Sequence, residues 1–245
     1  MRVAVAQTRP FKGDILRNIE THVRWIRVAA GANASHIIFP ELSVTGYEPT
    51  LAASLAMRSD DVRMVVFQSL SDRHSMTIGL GAPTIGPDGI LISMLIFRPG
   101  EERQVYSKRY LHTDEEPFFA CGGKPVMLED NKLALAICYE LSVPKHSEDA
   151  HVAGAEIYLA SVAKTAAGID RAGLTLAEIA RKYSMLVLVS NAVGDCDNFV
   201  CGGGSAIWNK DGNLLARLGE RAEGLLLLDT ETGEIIERQP EYESQ

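Results

Sequence analysis

Cysteine is scarce in this chain and loosely spread. Its 245 residues hold four, Cys121, Cys138, Cys196 and Cys201, and none forms a CxxC pair. Cys196 and Cys201 stand five apart, and the six histidines offer only the loose His146 and His151, so the tight ligand pairs of a zinc site are missing. A disulfide framework is not expected in a chain that reads as unexported. Long hydrophobic runs are also missing, since no stretch approaches the roughly 20 apolar residues that span a bilayer. The opening MRVAVAQTRPFKGD lacks the basic start, apolar run and cleavage site of a secretory signal. Positive charge is not in excess: 24 Lys and Arg face 32 Asp and Glu, a net charge of −8. That balance argues against nucleic acid as a partner, because affinity for a phosphate backbone is carried by clustered Lys and Arg. No low-complexity tract, solenoid repeat or Pro/Gly/Ser-rich linker interrupts the chain. These absences leave a cytoplasmic globular protein with neither a membrane nor a nucleic-acid partner.

What is present is ordinary folded composition, 46% hydrophobic and 23% charged. The length allows one or two domains, and a layered α/β fold can absorb all of it as one. Strands are predicted at 2–7 and 36–39, and helices at 15–31, capped by Asp14, and at 60–73, with Val62, Val65, Val66 and Leu70 on one face. Consecutive strands follow at 76–82, 90–97 and 104–108. Further strands are predicted at 133–138, 156–160, 186–190, 205–209, 214–218 and 225–229, with helical stretches after 138 and at 170–183. The turn 210–213 carries a hairpin signal. Helices early and in the second half, with strands between and after them, suit an α/β fold of two sheets packed face to face, a four-layer α-β-β-α sandwich. One domain over 1–237 with a tail at 238–245 follows.

Strand ends are where such folds place reactive groups. Glu41 follows strand 36–39 in FPELSVTGY, Lys108 ends strand 104–108 in VYSKRYL, and Cys138 closes the apolar run LALAICYE. Each alone reads as something plain: a solvated carboxylate, a surface lysine, an inert core thiol. Together they meet a chemical need. A thiol attacking a carbonyl or nitrile carbon must lose its proton, which a carboxylate can take. The oxyanion that forms needs donors, which a lysine ammonium and a backbone N–H supply.

The segments FPELSVTGY, YSKRYLHTDEEPFFACG and ICYE, in this order, resemble the nitrilase superfamily of carbon–nitrogen hydrolases. SNAVG and GGGSAIWNKDGNLLARLG resemble its closing region, so the likeness covers 2–229. The resemblance implies a Glu-Lys-Cys triad: Glu41 as general base, Lys108 as oxyanion stabiliser, Cys138 as nucleophile, with the backbone N–H of Tyr139 as second oxyanion donor. It also implies a second, positioning glutamate within DEEPFFACG. Spacing to Phe119 and Gly122 favours Glu115, while distance from Lys108 favours Glu116; Glu115 is chosen.

The implied activity is cleavage of a non-peptide C–N bond in a small amide or N-carbamoyl compound, through a cysteine thioester, with no metal or organic cofactor. The resemblance implies a homodimer or larger homo-oligomer. Family members with carboxylate-bearing substrates read CYDxRFP at the nucleophile, whereas this chain reads CYELSVP, with Ser142 where the Arg stands. That departure favours a neutral or amine-bearing substrate. Two rival readings remain: a catalytically silent member of the same fold that binds a small molecule or protein, and a glutaminase half of an amidotransferase, for which no synthetase domain follows in the sequence. Cys121, Cys196 and Cys201 carry no motif and read as structural.

Overall fold

Side-chain alternation along the strands decides the layers. The computed structural model describes residues 1–128 and 132–240. The first half contains β1 (Arg2–Gln7), α1 (Ile15–Gly31), β2 (His36–Ile38), α2 (Ala52–Leu55), α3 (Val65–His74), β3 (Thr77–Ile85), β4 (Ile90–Phe97) and β5 (Gln104–Ser107). The second contains β6 (Met127–Leu128), β7 (Leu133–Ile137), α4 (Pro144–Val152), β8 (Ile157–Val162), α5 (Ala166–Tyr183) and β9 (Leu186–Asn191). It closes with β10 (Val193–Cys196), β11 (Phe199–Gly202), β12 (Ala206–Trp208), β13 (Leu214–Arg217), β14 (Gly224–Asp229) and β15 (Ile235–Arg238).

A seven-stranded sheet runs β15-β14-β1-β2-β3-β4-β5, and a six-stranded sheet runs β13-β12-β9-β8-β7-β6. Each has the same plan: three parallel strands, β1-β2-β3 or β7-β8-β9, flanked by antiparallel ones. In β1, Val3 and Val5 point to the other sheet and pack with Leu135, Leu159 and Leu188. Ala4 and Ala6 point the opposite way, to Trp25, Ile26 and Phe67 under α1 and α3. The second sheet repeats this, with Ala160, Val187 and Val189 facing Leu176 and Ile179 of α5. Burial on both faces is why these strands read as unbroken apolar runs rather than alternating ones. The result is the expected four-layer α-β-β-α sandwich.

Several expected elements take the expected bounds, and others shift. Asp14 caps α1 by accepting from the Arg17 N–H at 3.1 Å. The helix expected at 60–73 begins instead as a 3-10 turn, Val62–Met64, and continues as α3. Its buried face is Met64, Phe67, Leu70 and Ser71, whereas Val62, Val65 and Val66 are exposed. The bulkier Met64, Phe67 and Leu70, spaced three apart, fix the helix phase because burying them removes more apolar surface than three valines would. The hairpin β10–β11 and the short strands β6 and β15 were not predicted. Residues 241–245 of the expected tail lie outside the described residues.

Candidate active site

Glu41 enters the site because strand β3 approaches its loop without a side chain in between. A Cβ on Gly81 would stand 2.3 Å from the Leu42 nitrogen and 2.5 Å from the Pro40 oxygen. With glycine there, the Val44 N–H reaches the Gly81 carbonyl at 2.9 Å, and the loop folds Glu41 inward. Lys108 directly follows β5 and is held through its backbone by Ile92 and Gly122. Cys138 directly follows β7 and sits at φ 43°, left-handed for a residue with a side chain. Such a conformation costs about 1–3 kcal/mol and persists only where the surroundings enforce it. It turns the chain from β7 into the 3-10 segment Cys138–Ser142.

These three converge with Glu115. The Lys108 ammonium, wholly buried, donates to Glu41 Oε1 at 2.8 Å and to Glu115 Oε1 at 2.6 Å. Glu115 is fixed further by the Tyr47 hydroxyl at 3.0 Å and, at its other oxygen, by the His112 N–H at 2.8 Å. Glu116 is exposed and Glu115 buried, so of the two neighbours it is Glu115 that reaches Lys108. Glu41 Oε2 is buried without a well-formed hydrogen bond. The Cys138 thiol stands within interaction range of that carboxyl.

Burial dominates the electrostatics. It holds the Glu41 carboxyl above the ordinary carboxylate range, with the Lys108 charge pulling back and the Glu115 charge pushing on. It pushes the Cys138 thiol up to about 11, with the Glu41 charge adding and the Lys164 and Lys108 charges opposing. Burial works against the Lys108 charge too, but Glu41, Cys138 and Glu115 outweigh it and keep the ammonium well above the usual lysine range. Burial thus keeps the thiol protonated and works against charge on Glu41, while the carboxyl groups around it hold the Lys108 ammonium charged.

Sequence reasoning missed three neighbours of this cluster. Tyr47 closes the very motif FPELSVTGY that flagged Glu41. Its ring packs 5.6 Å from that of Phe199 on the hairpin β10–β11, and Thr50 and Glu48 tie Asp197 of the same hairpin down. Lys164 follows β8, which runs parallel beside β7, and the strand-end argument applied there would have found it. Its backbone N–H donates to Asn191 Oδ1 at 2.9 Å, and its carbonyl accepts from Asn191 Nδ2 at 3.1 Å. Its half-buried ammonium has no ion pair or side-chain hydrogen bond among the described residues. The third is Glu140, two residues past Cys138 and wholly buried.

The remaining expectations divide. Tyr139 lies at the start of the 3-10 segment, with its ring edge-on to His112 at 5.2 Å. Ser142 is exposed and lines a shallow groove with Pro144, Thr175 and Glu178, a different surface from the buried cluster. Besides Lys108, the cation whose charge acts on Cys138 is Lys164. Cys196 and Cys201 are buried with Ala163 and Ala192, but Cys121 is exposed and has no packing role. Among the described residues no group of three His, Cys, Asp or Glu is arranged to hold a metal ion.

Two mixed sheets between helical layers, with a Glu–Lys–Glu cluster beside a half-buried cysteine on a strained turn, define an α/β sandwich with a thiol site. The profile described as carbon-nitrogen hydrolase matches residues 2–238, and the chain belongs to that family. The fold is also that of the amidase from Nesterenkonia sp. AN1, with TM-score 0.84 and 24% identity over 94% of this chain and 92% of that one. Among curated proteins, the chain is 28% identical over 225 residues to the glutamine-dependent NAD(+) synthetase of Acinetobacter baylyi, covering 87% of this chain and 41% of that protein. The chain thus spans about two-fifths of the length of that synthetase. It is 23% identical to an (R)-stereoselective amidase from Pseudomonas sp., covering 89% of this chain and 81% of the amidase.

Proposed function

We propose that the chain is a thiol hydrolase that cleaves the C–N bond of a small amide or N-carbamoyl compound and releases ammonia. One observation carries this reading: Lys108 occupies one oxygen of Glu41 at 2.8 Å, while the other oxygen is left unpaired beside a thiol that burial keeps protonated. A carboxylate so arranged is a base with one proton to collect.

On attack, Glu41 takes the Cys138 proton as the sulfur bonds to the carbonyl carbon. The oxyanion is met by the Lys108 ammonium and the Tyr139 N–H. Collapse of the tetrahedral adduct breaks the C–N bond, and Glu41 returns its proton to the leaving nitrogen, which departs as ammonia. The thioester then takes up water, which Glu41 deprotonates, and the acid leaves as the thiol is restored. Glu115, pinned by Tyr47 and His112, keeps Lys108 pointed at the reacting carbon. Butyramide was bound by a mutant of the Nesterenkonia amidase, and the NAD(+) synthetase relatives are glutamine-dependent. Both names point to simple primary amides. The Lys164 ammonium, without an ion pair among the described residues, suits a substrate that also bears an acid group.

The test is ammonia release from matched neutral amides, acid-bearing amides and N-carbamoyl compounds, run with and without hydroxylamine. Hydroxamate products mark an acyl-thioester that is intercepted. Full ammonia release by Cys138→Ala overturns the reading, as does a wild-type protein whose Cys138 alkylates but which turns over nothing in the panel.

A further inference from the structure

Glu140 lies two residues past Cys138 and is wholly buried. Its carboxylate joins the two sheets. Oε2 accepts from the Ile137 N–H at 2.7 Å and from the Tyr106 hydroxyl at 2.6 Å. Oε1 accepts from the Arg109 N–H at 2.6 Å. Ile137 directly precedes Cys138, and Arg109 directly follows Lys108. One side chain therefore grips the backbone next to each of two proposed catalytic residues, on opposite halves of the sandwich.

Neither backbone amide has an easy alternative. Among the described residues strand β6 pairs with Leu133 and Ala134 of β7, and no strand lies on that edge of β7 beside Ile137. Glu140 supplies the acceptor by reaching back to the residue that opens its own 3-10 turn, as the glutamate of a capping box does. On the other sheet, the Lys108 N–H is taken by Ile92 at 2.8 Å, and the next amide, that of Arg109, goes to Glu140. Bonds to an ionised acceptor are short and strong, which suits a clamp better than neutral pairs do.

The clamp is itself held in orientation. With its proton given to Glu140, the Tyr106 oxygen accepts from His146 Nε2 at 3.0 Å. His146 Nδ1 then accepts from the Tyr158 hydroxyl at 2.8 Å. That chain requires a neutral imidazole, and burial holds His146 below its usual range despite the Glu140 charge.

We propose that Glu140 is a positioning residue that locks the strained Cys138 turn of one sheet to the Lys108 segment of the other, and so sets the separation of sulfur and ammonium. The inference rests on the thiol-hydrolase reading for its effect on turnover, but not for its effect on the thiol.

The experiment is carboxamidomethylation of Cys138 by iodoacetamide across pH, read by mass spectrometry, together with kcat and KM on the best amide and an unfolding curve for each variant. Glu140→Gln keeps the shape but offers one acceptor oxygen to three donors. In the folded variant, the alkylation rate and kcat are expected to fall ~10- to 100-fold, the scale of a catalytic group misplaced by about an ångström. KM is expected to stay within about twofold, because binding is not what the clamp supplies. A lowered unfolding midpoint with wild-type alkylation and kcat reduces Glu140 to a structural residue and overturns the proposal. Should Glu140→Gln fail to fold, Tyr106→Phe decides. It leaves both amide bonds and loosens only the orientation, so alkylation and kcat should drop about two- to fivefold, and wild-type values for both overturn the proposal. If wild-type Cys138 alkylates but no amide is turned over, the hydrolase reading fails while the alkylation comparison still judges Glu140.

Discussion

The Lys108 ammonium donates to Glu41 Oε1 across 2.8 Å with both side chains fully out of solvent. The same nitrogen serves Glu115 at 2.6 Å, so two buried carboxyl groups share one cation. Removing one partner of such a cluster leaves uncompensated charge in a medium that cannot solvate it. Lys108→Met is therefore expected to destabilise the fold by about 3–5 kcal/mol as well as abolish turnover. Urea denaturation measures this, and a variant as stable as the wild type would show that the cluster gives no net support to the fold.

Glu41 sets both the pH limb and the thiol. Its carboxyl, held up chiefly by burial, must be ionised to act as base, so kcat/KM should fall with acid through a midpoint above the usual 4.5. The Lys108 charge pulls that midpoint back and the Glu115 charge pushes it further up. Glu41→Gln removes the base and should cut turnover ~10²- to 10⁴-fold. The same change removes a negative charge that helps push Cys138 up, so its alkylation midpoint should drop below about 11. Lost turnover with an unmoved or higher midpoint would separate Glu41 from the sulfur.

The layers were legible in the sequence because strands buried on both faces leave continuous apolar runs such as RVAVAQ and LALAIC, and Asp14 caps α1 as its side chain dictates. The phase of α3 was not, because Val62, Val65 and Val66 mimic a face that Met64, Phe67 and Leu70 occupy. Glu41, Lys108 and Cys138 were legible as strand-end residues with the right chemistry, and their meeting was carried only by family wording. Glu140 and Tyr47 stayed hidden because their importance lies in bonds to residues 34 and 68 positions away, which local spacing cannot express. Lys164 follows a strand as Lys108 does, yet its flanks, SVA and TAA, match no segment that had drawn notice.

Lys164 is the next residue to test. Its charge opposes the upward push on Cys138 more than that of Lys108 does, and its own ammonium has no ion pair among the described residues. Lys164→Met should raise the thiol beyond about 11 and slow alkylation at any fixed pH below that. If the ammonium also meets a substrate acid group, KM for acid-bearing amides should rise about tenfold more than KM for neutral ones, one charge-assisted bond in magnitude. A uniform change across both classes would assign Lys164 to the thiol alone.

Two glycine substitutions separate close approach from simple chain entropy. At Gly81 a new Cβ meets backbone atoms of Leu42 and Pro40 at 2.3 and 2.5 Å, and neither can swing away as a side chain would. The loop carrying Glu41 must move, so Gly81→Ala should destabilise by about 1–3 kcal/mol, the range for overpacking, and should lower kcat by displacing the base. Gly31, the last residue of α1, has nothing within 4 Å of its would-be Cβ. There alanine restricts the unfolded chain without a clash, and Gly31→Ala should stabilise by roughly 0.4–1 kcal/mol with kcat unchanged. Thermal unfolding and kcat on the same preparations decide the matter. Equal effects at both positions, or a Gly81→Ala protein with full stability and turnover, would mean that strand β3 does not set the place of Glu41.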